Sequence, residues 1–144
     1  MTTTQKPSTL FWIIGIVLLL WNLMGASAFI VDNFFTDMIA SAYNEEQMAA
    51  INATPLWSKI LYGISTLGGL LAAILLLARK IGAVRVYAIS LIAIIIHTVY
   101  NIGFANAMEL FGVGAGLIFP LIIILLAIFE YWWSKYCASK GWLN

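Results

Sequence analysis

Four runs of about twenty apolar residues constrain this chain more than any other feature. They cover about Thr9–Val31, Leu56–Ala78, Ala83–Phe104 and Val113–Trp133. A helix needs about 20 apolar residues to cross the hydrocarbon core of a bilayer. Only 9% of residues are charged and mean hydropathy is +1.00, whereas a soluble domain carries roughly 25% charged residues. The sequence therefore predicts an all-α fold: a four-helix transmembrane bundle making a single integral membrane domain of residues 1–144. The loop between the first two runs, residues 32–55, leaves no room for a soluble domain.

Charge sets the expected orientation. Lys6, Arg79, Lys80, Arg85, Lys135 and Lys140 fall on one side of four crossings, and only Lys59 on the other. Asp32, Asp37, Glu45, Glu46 and Glu109 lie with Lys59. Positive loops stay cytoplasmic, so both termini are expected in the cytoplasm of a bacterial inner membrane.

The first loop is patterned rather than linker-like. Phe34, Phe35, Met38, Ile39 and Ala42 recur at helical spacing. Asn44 opens a second segment, with Glu45 and Glu46 next and Gln47 placed as in a capping box. Two short amphipathic helices over the outer surface are expected, either capping the bundle or serving as a substrate lid.

Polar side chains inside the runs are the candidate site. His97, the only histidine, shares a stripe with Ser90, Ile94, Asn101 and Phe104, and Tyr100 stands beside it. Asn22 lies roughly 18 Å from the cytoplasmic end of its run and His97 roughly 20 Å from its own, at 1.5 Å per residue. Ser65 and Thr66 lie roughly 14 Å from the outer end, and Pro120, which frees a carbonyl near residue 116, roughly 10 Å. These groups are expected in one polar layer, either a solute site or a network tying helices together. Glu130 reads as an interfacial acid paired with Lys135 or Arg79. Cys137, the single cysteine, reads as a buried or idle thiol, with acylation at the membrane edge as the alternative.

Small residues are the candidate packing contacts. Ser65, Gly69 and Ala73 form one four-residue row and Gly68 and Ala72 another. Gly25 and Gly116 thin the first and fourth runs. Gly82 is expected to supply backbone freedom in the turn after Arg79 and Lys80. No nucleophile pairs with His97, no phosphate-binding glycine loop is present, and one histidine cannot assemble a metal site. No catalytic residue, metal or cofactor is expected, and the charge is too low for nucleic acid.

WNLMG (Trp21–Gly25), TPLW (Thr54–Trp57), LGGLLAAILLLARK (Leu67–Lys80), AISL (Ala88–Leu91) and the closing GWL (Gly141–Leu143) resemble a family of small four-span bacterial membrane proteins. Some of its members carry the label "sugar transporter". The resemblance implies transport but assigns no residue a role. The expectation is a non-enzymatic membrane subunit that touches lipid and assembles with itself or a larger complex. The alternatives are an oligomeric carrier for a small neutral solute, or a lipid- or quinone-binding module.

Overall fold

The computed structural model describes residues 5–144. They form four long helices: α1 (Thr9–Phe34), α4 (Leu56–Leu77), α5 (Gly82–Gly103) and α7 (Phe119–Ser139). Short helices α2 (Thr36–Ile39) and α3 (Glu45–Ala53) fill the first loop, and α6 (Ala107–Val113) precedes α7. Each long segment meets the length and hydropathy needed to cross a membrane, with α6 and α7 counted as one. The all-α four-helix bundle read from the sequence is the observed fold.

Local chemistry sets the boundaries. The Ser8 hydroxyl accepts from the Phe11 amide at the start of α1. Asn44 and Gln47 form the reciprocal capping box that opens α3. Gly112 takes φ 78°, a backbone that L side chains rarely adopt, and breaks the helical path inside α6. A π-helical turn over Gly114–Ile118 follows. Pro120 then offers no N–H to the Gly116 carbonyl four residues back.

α4 packs on both α1 and α5, and α5 on α7, while α1 and α7 meet only sparsely. The core gathers at the end carrying the termini, around Phe11, Leu18, Leu76, Trp133, Cys137 and Leu143. Burying each such large side chain stabilises by about 1.5–3 kcal/mol. The C-terminal tail closes this end. Asn144 exchanges backbone hydrogen bonds with Arg79 and Ile81, and Gln5 donates to the Gly141 carbonyl. The Arg79 guanidinium donates to the carbonyls of Trp142 and Gln5, each at 2.8 Å.

Several expectations need correction. Arg79, not Gly82, is the turn's left-handed residue, at φ 60°. Gly82 instead begins α5. The fourth span continues past Trp133 to Ser139. The α6 helix has no counterpart in the sequence reading. It is tied to the first loop by Gln47, whose side-chain amide donates to the Leu110 carbonyl at 2.7 Å.

The small residues offered for self-assembly are used inside the chain. Ala72 and Ala73 are fully buried. Gly69 lies against the Asn22 amide and Gly68 against the Ser90 hydroxyl. Gly116 lies against the Ala107 backbone, while Gly25 faces the Thr66 methyl at 3.8 Å. The α4 rows therefore bring α1 and α5 close.

Candidate functional site

The candidate residues fall at two levels rather than one. The level nearer the loop end is built on His97. Its Nδ1 lies 2.9 Å from the Ser58 hydroxyl and 3.1 Å from the Ser58 carbonyl. Its Nε2 lies 3.0 Å from the Asn101 amide nitrogen. The Asn101 amide donates, so Nε2 accepts and the proton sits on Nδ1, facing the Ser58 carbonyl. The ring stacks on Tyr62, with centroids 5.1 Å apart and planes 10° from parallel. The Tyr62 hydroxyl donates to Asp32 at 3.2 Å. Both ring nitrogens are satisfied within the protein, so His97 cross-links α4 and α5.

Two of the other candidates behave differently at this level. Pro120 lines a cavity of about 260 Å³ together with His97, Asn101 and Asp32. Tyr100 does not join them. It packs edge-on against Trp57, with centroids 4.9 Å apart, and borders a groove with Ile96, Val99 and Phe104. The expectation that Tyr100 belongs to the polar layer is overturned, because its direction from α5 carries it outward beside Trp57. Phe104 lies beyond the end of α5 and is 78% exposed.

The deeper level is built on a residue that the sequence reading set aside. Glu130 is 4% exposed and accepts from the side-chain amide of Asn22, itself buried. The same amide nitrogen donates to the Leu18 carbonyl at 2.8 Å. Glu130 is not the interfacial partner of Lys135 or Arg79. Lys135 lies over the Tyr131 ring at 5.4 Å, and Arg79 serves the tail. The physical reason is the length of α7. Its last two turns continue into the bundle, which places Glu130 roughly 13 Å from the terminal end of the helix at 1.5 Å per residue.

Asn22 and Glu130 border a second cavity of about 230 Å³. Ser65, Thr66, Tyr87 and Ser90 line it as well. Ser65 and Thr66 donate their hydroxyls to the Tyr62 carbonyl of their own helix, at 2.8 and 3.0 Å. The hydroxyls of Tyr87 and Ser90 are buried and have no hydrogen-bond partner among the described residues. A buried polar group without a partner costs about 1–3 kcal/mol. Both oxygens are enclosed by protein, that of Ser90 against Gly68 of α4, so they stand behind the cavity wall rather than on its surface.

Tyr62 lies between the two levels, since it lines both the deep cavity and the one beside Pro120. Ile94 and Ile123 border both as well. These three side chains divide the loop-end cavity from the one that holds Glu130. Below it, the packed core around Leu18, Leu76 and Trp133 seals the terminal end.

Two residues, Tyr87 and Glu130, were missed as site members. A signal for Glu130 was present: Glu130, Trp133, Ser134 and Cys137 are all buried, and they follow the helical spacing of one inward stripe. Among the described residues, no group of three or more His, Cys, Asp or Glu is placed to hold a metal ion.

Comparison with models of protein families, with curated proteins and with solved structures gives no match to this chain.

Proposed function

We propose that this chain is a small multi-pass carrier that takes a solute into the cavity between Asn22, Glu130, Tyr87 and Ser90. The observation that carries the reading is Glu130, a buried carboxyl on the lining of a cavity, whose side-chain partner among the described residues is the neutral Asn22 amide. Ionisable groups within membrane helices mark solute and ion pathways.

The alternative of a self-assembling subunit loses its main support, because the small-residue rows of α4 are occupied within the chain. The resemblance to four-span proteins, some labelled as sugar transporters, is in keeping with a carrier. The basic residues at the terminal end favour a cytoplasmic location for both termini, in a bacterial inner membrane. The loop end then faces outward.

Thiol labelling tests this reading. Thr66→Cys, made in a Cys137→Ala background, puts one thiol on the cavity wall. A small membrane-impermeant methanethiosulfonate should modify it readily in right-side-out vesicles, and more slowly in inside-out vesicles. A carrier must visit both states, whereas a static subunit shows one face at most. Absence of modification from the cytoplasmic face refutes the carrier reading.

A further inference from the structure

We propose that the occupant of the deep cavity is a lipophilic organic cation, an amine or quaternary ammonium carried on an apolar body, with its charge beside Glu130. This assignment of substrate class rests on the carrier reading above.

The first argument is charge. Glu130 is a buried carboxyl whose side-chain partner among the described residues is a neutral amide. The cations that could have paired with it are engaged elsewhere, Lys135 over Tyr131, Lys140 over Tyr136 and Arg79 on the tail carbonyls. A buried carboxylate without a cation is costly, and a cationic occupant supplies what the chain withholds.

The second argument is the wall. Trp21, Tyr62, Tyr87 and Phe119 line this cavity. Aromatic rings attract cations, most strongly where water is excluded. The remaining lining divides between polar side chains and apolar ones such as Met24, Ile94 and Ile123. The Ser65 and Thr66 hydroxyls are spent on the Tyr62 carbonyl and those of Tyr87 and Ser90 are buried, so the wall offers few hydrogen bonds to a polyhydroxylated solute and suits a ligand whose body is apolar.

The third argument is access. α1 and α7 meet only sparsely, and the cavity lies between them. Met24 and Phe119 border the cavity and are also more than half exposed, at 57% and 52%. On a membrane-spanning helix that exposed surface meets acyl chains. A ligand that partitions into lipid therefore reaches Glu130 sideways, between the first and fourth spans.

The test compares a cation with its neutral shape. The full chain in potassium chloride is titrated with benzyltrimethylammonium and with neopentylbenzene, in which carbon replaces the charged nitrogen, and binding is followed by the change in intrinsic tryptophan fluorescence, to which Trp21 on the cavity lining contributes. Wild type should bind the cation in preference to the hydrocarbon. Glu130→Gln keeps a side-chain carbonyl for Asn22 and should retain its thermal unfolding profile. It should weaken cation binding about thirtyfold or more, as expected for removing one partner of a buried charge pair, and leave neopentylbenzene unaffected. Equal binding of the two probes overturns the proposal, as does an unchanged cation affinity in Glu130→Gln. Displacement of the cation by sodium chloride at matched ionic strength also overturns it, by giving the carboxyl to an inorganic ion. If Thr66→Cys labels from both faces while the cation fails to bind, the carrier stands and only the cationic class falls. If labelling fails, the carrier reading falls first.

Discussion

Three glycines test the packing around Asn22, because a methyl group added at each meets a different obstacle. At Gly25 a Cβ lies 3.8 Å from the Thr66 methyl, an ordinary contact. Gly25→Ala should therefore gain the helix preference of alanine over glycine, about 1 kcal/mol. At Gly68 a Cβ lies 2.6 Å from the Ser90 hydroxyl. That hydroxyl has no partner to lose, so it can turn aside, and Gly68→Ala should be nearly neutral. At Gly69 a Cβ falls on the Asn22 amide oxygen, with the amide carbon at 3.2 Å. Asn22 cannot yield cheaply, since it holds the Leu18 carbonyl and Glu130. Overpacking costs about 1–3 kcal/mol, and a lost buried hydrogen bond about 1–3 kcal/mol more. Less the helix gain of about 1 kcal/mol, Gly69→Ala should destabilise by roughly 3 kcal/mol. Unfolding in mixed micelles with increasing dodecyl sulfate, followed by helical circular dichroism, gives the three free energies. Asn22→Ala removes the obstacle, so Gly69→Ala made in that background should cost little. Additivity of the two changes within about 0.5 kcal/mol, or equal effects at all three glycines, refutes the assigned contact.

Two further predictions concern the terminal end. Cys137 is fully buried, so it should resist maleimide in the folded protein and react once dodecyl sulfate unfolds the bundle; rapid labelling of the native chain would contradict its place in the core. Arg79→Met removes both guanidinium bonds to the tail and the N-terminal segment, at a cost of about 1–3 kcal/mol. Carboxypeptidase should then shorten the chain past Trp142 faster than in wild type, and equal rates would show that the tail is held without Arg79.

The bundle was legible because apolar length alone decides it. Each span is greasy around most of its circumference, and in a bilayer the backbone must then satisfy itself as helix. The short helix α3 was legible for a different reason: Asn44 and Gln47 carry its cap within four residues. What could not be read was which polar groups meet. Asn22 and His97 count out to similar depths on their own helices, and a count along one helix ignores how far each helix is shifted against its neighbours. Contacts fix that offset. Gly69 opposite Asn22 and Phe11 beside Trp142 set α1 against α4 and the tail, and they place Asn22 with Glu130 rather than with His97. The histidine drew attention because it is chemically rare. Its nitrogens are nonetheless both engaged, whereas Tyr87, which looks like an ordinary aromatic in the sequence, has a buried hydroxyl with no partner among the described residues.

The position of Glu130 follows from a taper written into α4. Its half nearer the termini carries Gly69, Ala72 and Ala73, which let α1 and α5 approach closely enough to bury Leu18, Leu76 and Tyr87. Its other half carries Trp57, whose ring meets Tyr100 of α5 edge-on, and Tyr62, which stacks on His97 of α5 and also meets Phe29 of α1. Rings between helices hold axes farther apart than glycine or alanine do. The bundle is accordingly closed where the small residues lie and hollow where the rings lie, and the change between them falls at Gly69, the level of Asn22 and Glu130. A carboxyl at that level stands at the floor of the hollow half and on the roof of the sealed half. Moving a bound solute across would require the sealed half to open while the ringed half closes. Tyr62, stacked on His97, stands between the two halves, because it borders the cavity beside Pro120 as well as the one that holds Glu130.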